Sequence, residues 1–107
     1  MDPHVAGFEW DSANRSKCQK HGISVADVES LFSRPIAVFP DPAHSRTETR
    51  FKAIGKTDAG RSVLIVFTLR RHETRTFIRP ISARYMHAHE VRHYEKEAAK
   101  IAKRQRG

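Results

Sequence analysis

A single cysteine, Cys18, occurs in the 107 residues, so an internal disulfide is impossible and no Cys-x-x-Cys metal motif exists. This usage fits a reducing compartment, and a cytoplasmic setting is expected. Long apolar runs are missing too. The longest, Val63-Leu64-Ile65-Val66-Phe67, is strand-sized, far short of the about 20 residues that span a bilayer. No basic segment followed by an apolar stretch opens the chain, so no signal peptide and no membrane partner are expected. Acidic residues are scarce, with 12 Asp+Glu against 20 Lys+Arg and a formal net charge of +8. Neither an internal repeat nor a low-complexity tract interrupts the sequence. The length suits one domain spanning 1–107 with a single modest core.

What is present is a row of cations on segments that otherwise read as strands: Arg50, Lys52, Arg61, Arg70, Arg75 and Arg79. Glu48 lies among them, and His21 and His44 flank them. A charged sheet face contributes little to folding but suits a polyanion, through counterion release and long-range steering. A solvated sheet face is the plain alternative. The charge is unevenly spread. Residues 1–42 hold four Lys+Arg against six Asp+Glu, so all of the excess positive charge lies beyond them.

Capping and periodicity predict the elements. Phe8-Glu9-Trp10 reads as a short strand. Asp11 caps a helix from Ser12 to Lys20 that Gly22 ends. Ser24 caps a second helix, whose Val25, Val28, Leu31 and Phe32 recur at core spacing until Pro35. Ile36 to Phe39 reads as a strand, and Pro40-Asp41-Pro42 as a rigid connection. Strands are expected over Arg46 to Lys56, Arg61 to Arg70 and Arg75 to Ile81, with turns at 57–60 and 72–74. The centre of the second is apolar on both faces, which places it mid-sheet. Pro80 predicts an edge or a bulge. Ser82 is expected to cap a long helix from Ala83 to Arg104 with sparse apolar positions: Met86, Val91, Tyr94, Ala98 and Ile101. The fold class is α+β, a small antiparallel sheet flanked by two short N-terminal helices and a long C-terminal one.

The register of the two hairpins decides which charges meet. With one bulge near Asp58, Arg50 faces Thr68 and Glu48 faces Arg70. With a tight second hairpin, Thr68 also faces Arg79. Arg50, Arg79, Glu48 and Arg70 then share one face; a one-residue slip would pair the charges with Ile65 and Phe67 instead.

Several segments in this order resemble a known family. They are Phe8-Glu9-Trp10-Asp11, Lys20-His21-Gly22-Ile23-Ser24, Glu48-Thr49-Arg50 ahead of Ile54-Gly55, Gly60-Arg61, Val66-Phe67-Thr68, Ile78-Arg79-Pro80-Ile81-Ser82-Ala83-Arg84, Glu90 and Tyr94-Glu95. The chain resembles the BrnT toxins of BrnT–BrnA type II toxin–antitoxin systems over residues 8 to 95. The resemblance implies a fold like that of RelE ribonucleases and RNA cleavage that blocks translation. It also implies a BrnA-like ribbon-helix-helix antitoxin that neutralises the toxin and carries the complex to operator DNA. Over Ser12 to Gln19 the chain departs from the commoner family form, whose first helix is one residue longer, so no role is carried onto Asn14 or Lys17.

The chemistry expected is RNA cleavage without metal or cofactor. A base takes the 2′-hydroxyl proton, cations stabilise the phosphorane-like charge, and an acid protonates the leaving 5′-oxygen. His89 and His93 are one helical turn apart but lack a third metal ligand. The catalytic candidates are Glu48, Arg50, Arg79 and His21; the RNA-binding candidates are Lys20, Lys52, Arg61, Arg70 and Arg84. Arg matches phosphate bidentately, which favours Arg50 and Arg79. Glu48 is either a catalytic carboxylate or the counter-ion of its arginines. His21 is either a general acid or a cation favoured by a helix C-terminus. Arg84 in a helical first turn would oppose the dipole, which points to a ligand or a carboxylate partner. Trp10 is core or a base-stacking platform. The alternative function is a non-enzymatic basic module that binds nucleic acid or a protein.

Overall fold

The computed structural model describes residues 5–44 and 46–106, with His44 and 101–106 given by backbone alone. The expectations for the side chains of His44 and Ile101 lie outside the described residues. In chain order the elements are β1 (Val5–Phe8), α1 (Ser12–Gln19), α2 (Val25–Phe32), β2 (Ala37–Pro40), a 3-10 turn (Pro42–His44), β3 (Arg50–Lys56), β4 (Ser62–His72), β5 (Arg75–Tyr85) and α3 (Ala88–Arg106). They form one five-stranded sheet in the order β1-β5-β4-β3-β2. Strands β2 to β5 pair antiparallel, as expected, and β1 adds a parallel edge beside β5.

Both short helices begin at the expected caps. The Asp11 carboxylate accepts from the backbone N–H of Asn14 at 3.0 Å, and the Asn14 side chain accepts from the N–H of Asp11 at 2.7 Å. This reciprocal box satisfies two donors that a helix start leaves open. Ser24 accepts from the N–H of Asp27 at 3.0 Å. Gly22 and Gly60 adopt φ of 86° and 82°, the left-handed region a glycine enters without a Cβ clash. Gly60 also donates to the Thr57 carbonyl at 2.9 Å. The β3–β4 loop is thus a tight turn followed by a left-handed residue, which supplies the bulge expected near Asp58.

Helices α1 and α2 cover one face of the sheet. Cys18, Ile23, Val28, Leu31 and Phe32 pack there on Ala53, Val63, Ile65, Phe67, Ile78 and Ala83. Burial pushes the Cys18 thiol up to about 11, so it is an inert core residue. Val25 is only half-buried. Trp10 packs against this core while its indole N–H donates to Glu29 at 2.8 Å, which makes it structural.

Apart from shifts of one or two residues at other ends, four boundaries differ from the expectation. The first strand ends at Phe8 and leaves Glu9 and Trp10 beyond it. Strand β3 begins at Arg50, not Arg46, so Glu48 sits in the bend before it. Strand β4 runs on to His72, which confines the next turn to Glu73-Thr74. The largest difference is at 82–85. Ser82 caps no helix; Ser82, Ala83, Arg84 and Tyr85 continue β5 against Val66, Ile65, Leu64 and Val63. The physical reason is β4: an interior strand, apolar on both faces, needs a backbone partner along its whole length. Pro80 lies at the expected bulge, since Phe67 pairs with Pro80 and Val66 with Ser82, which leaves Ile81 as the extra residue. The freed Pro80 carbonyl accepts from the buried Asn14 amide at 2.8 Å, tying α1 to β5.

Candidate active face

Strand periodicity sorts the side chains. Val63, Ile65 and Phe67 face the helices, so Leu64, Val66, Thr68, Arg70 and His72 project from the opposite face. The pairings Arg50 with Thr68 and Thr68 with Arg79 put both arginines in the same row, in the register expected from the sequence. Thr68, buried in that row, donates to the Thr49 carbonyl at 2.6 Å. That bond holds the bend before β3, and with it Glu48.

Carboxylates and guanidinium groups interlock at this end of the face. Glu48 accepts from Arg70 Nε at 3.2 Å and lies 3.9 Å from Arg50. Glu9, the residue after β1, accepts from Arg79 at 3.2 Å and lies 3.6 Å from Arg70. Arg79 also donates to Asp11 at 2.9 Å, so the helix cap doubles as its anchor. The second Glu9 oxygen meets His72 Nε2, and the His72 ring stands edge-on to Phe77 with centroids 5.4 Å apart. Arg79 is the most enclosed of the three arginine side chains, 15% exposed against 31% for Arg50 and 42% for Arg70.

Two of the carboxylates, Glu9 and Asp11, are held ionised by their neighbours. The hydrogen bond from His72, with Arg70 and Arg79 nearby, draws the Glu9 carboxyl below its ordinary range despite partial burial. Asp11 is lowered by the N–H of Asn14 and then by Arg79. Such carboxylates are weak bases and firm anchors. Their chemical effect is to fix the guanidinium forks in place before any phosphate arrives.

The other half of this face belongs to α3. Tyr94 packs tilted against Phe39 with centroids 5.3 Å apart, and its hydroxyl accepts from Lys52 at 3.2 Å. Lys52 also lies 3.9 Å from the buried Asp41. Arg84 is on β5 and not in a helix; it grips Glu90 of α3 through two bonds of 2.9 and 2.7 Å. The carboxylate partner expected for Arg84 is therefore Glu90, whose carboxyl falls to about 2 under the Arg84 bonds and the N–H of His87.

The sequence candidates thus separate. Glu48, Arg50, Arg70 and Arg79 converge. Lys52 and Arg84 lie on the same face under α3. Lys20 and His21 are exposed just past the C-terminal end of α1, about 15 Å along the helix from Asp11. Arg61 stacks on the Tyr85 ring at 3.6 Å, roughly 30 Å down β4 from Arg70. Sequence reasoning missed Glu9 and His72. The signal for His72 was the period-2 run Thr68-Arg70-His72, masked by placing His72 in the turn; Glu9 had none, since it depends on β1 docking beside β5.

Among the described residues no group of three His, Cys, Asp or Glu side chains is placed to hold a metal ion, and no helix is long and apolar enough to cross a membrane. An apolar groove of about 660 Å³ lies on the helical face, between Phe32, Val38 and Leu69, and does not reach the cluster. The charged end of the other face is an open surface, a shape that admits a long polymer. Residues 10–90 match a family model described as the ribonuclease toxin BrnT of type II toxin–antitoxin systems. No curated protein matches the chain.

Proposed function

We propose that this chain, which belongs to the BrnT family of ribonuclease toxins of type II toxin–antitoxin systems, cuts RNA at the charged end of its open sheet face. The observation that carries this reading is the convergence of Arg50, Arg70 and Arg79 on Glu9 and Glu48. In this reading Arg50 and Arg79 take the scissile phosphate. Their planar donors match its oxygens and stabilise the charge that builds on them as phosphorus becomes five-coordinate. Glu48 positions Arg50 and Arg70. Lys20, His21 and Arg61, all exposed, flank the centre as contacts to the RNA backbone, and Lys52 and Arg84 extend its charge towards α3.

The reaction needs no metal: the RNA supplies its own 2′-hydroxyl nucleophile, and the guanidinium groups supply the countercharge. The test is incubation of purified protein with RNA in excess EDTA, with the fragment ends analysed. Cleavage that persists and leaves 2′,3′-cyclic phosphates supports the reading. Activity abolished by EDTA and restored by one divalent ion overturns it.

The family implies a protein antitoxin and an RNA substrate. The finer proposal is that the antitoxin is a BrnA-like ribbon-helix-helix protein, that the pair binds operator DNA through it, and that the toxin acts in the cytoplasm. The acidic segment of such a partner would be drawn to the basic half of the chain. The non-enzymatic module considered from sequence gives way to the ribonuclease family.

A further inference from the structure

The geometry points to His72 as the group that moves a proton in RNA cleavage, with Glu9 as the residue that positions it. This rests on the reading that RNA is cut at the arginine cluster. The His72 side chain is 59% exposed at the rim of that cluster, while its Glu9 partner is 23% exposed. An accessible imidazole anchored on an enclosed carboxylate is an arrangement that orients a proton carrier. The ring itself meets Glu9 after β1 and Phe77 on β5, while Arg70 on β4 and Arg79 on β5 lie against the other Glu9 oxygen. Arg75, paired with His72 across the hairpin, has its guanidinium over Phe77 at 5.4 Å.

The bonding selects the tautomer. The His72 hydrogen bond, and after it Arg70 and Arg79, draw the Glu9 carboxyl below its ordinary range, and an ionised carboxylate only accepts hydrogen bonds. His72 Nε2 must therefore carry the proton, which leaves Nδ1 of the neutral ring as an acceptor. In the step, Nδ1 takes the proton of the 2′-hydroxyl and the 2′-oxygen bonds to phosphorus. The bond from phosphorus to the 5′-oxygen breaks, and that oxygen takes a proton from water. The imidazolium then returns its proton to solvent. The products are a 2′,3′-cyclic phosphate and a 5′-hydroxyl.

The test compares wild type, His72→Ala, His72→Gln and Arg79→Ala in a cell-free translation mixture, where free and ribosome-bound RNA are both present. Cleavage is read from fragment 5′ ends. Both His72 variants are expected to lose about 10²- to 10⁴-fold in rate with unchanged melting temperature. Added imidazole is expected to restore part of the His72→Ala activity. Glutamine can still donate to Glu9 but cannot exchange a proton, so full activity in His72→Gln assigns a structural role and overturns the inference. Wild-type rates in both His72 variants with a dead Arg79→Ala also overturn it, while the arginine-cluster reading stands. Wild-type rates in all three variants overturn both.

Discussion

Arg79 shows how much one side chain can organise. It lies 15% exposed with one nitrogen on Glu9 and another on Asp11, linking the residue after β1 to the cap of α1. Lysine would keep the charge but not the fork, and could not bridge both carboxylates in the same geometry. Arg79→Lys is therefore expected to lower RNA cleavage about 100-fold, the scale of removing one preorganised donor from a developing charge. Expression of the variant should no longer arrest growth, while circular dichroism and solubility stay at wild-type values. Full toxicity at wild-type expression would remove Arg79 from the site. Asn14 illustrates the same economy on the structural side. Buried at 3% exposure, it closes the Asp11 box and also donates to the Glu9 and Pro80 carbonyls. One amide thus ties the backbone at Glu9, Asp11 and Pro80 together beside Arg79.

Among the elements, α3 is attached differently from α1 and α2. Those helices share the apolar core, whereas α3 meets the sheet through Tyr94 on Phe39 and Lys52 and through the Arg84–Glu90 pair. That pair makes the attachment acid-sensitive. The Glu90 carboxyl is drawn from 4.5 to about 2 in the folded chain, so its stabilisation is complete above pH 4.5 and is lost as the pH falls towards 2. Solvent screening on the exposed side of Arg84 holds the contribution to about 1 kcal/mol. Glu90→Gln is expected to melt about 4 °C below wild type at pH 7, with the gap narrowing below pH 4.5 and closing only as the pH reaches about 2. A gap independent of pH, measured by thermal unfolding across that range, would show that Glu90 acts by packing alone.

Over the whole molecule, charge is segregated. Residues 1–42 are slightly acidic and the remainder carries all the excess positive charge of a chain at +8. Long-range steering should therefore favour acidic partners, with an on-rate that falls as salt screens it. Co-expression with the neighbouring open reading frame is expected to yield a complex that forms more slowly from 50 to 500 mM NaCl and has no RNase activity. A complex that forms at a salt-independent rate, or that still cleaves RNA, would contradict this.

The sequence by itself determined most of the elements and the row that carries the arginines. Asp11 and Ser24 caps, the left-handed Gly22 and Gly60, alternation along β3 and the unbroken apolar run of β4 are local rules, and they operate before the chain is compact. They favoured a register with Arg50 and Arg79 on either side of Thr68, and the paired strands adopt it in place of the one-residue slip. Tertiary structure decided what local rules cannot see. Residues 82–85 became strand because β4 needed pairing along its length, which moved Arg84 off the helix and onto Glu90. Glu9 joined Arg79 only because β1 docks parallel beside β5, a contact between residues 70 positions apart. His72 entered the cluster because the hairpin closed on Glu73-Thr74 with φ of 59° at Glu73, a turn that no glycine announces. Capping and alternation are set by near neighbours along the chain. Which carboxylate meets which guanidinium is set by strand order, and that emerges only when the sheet buries its apolar face.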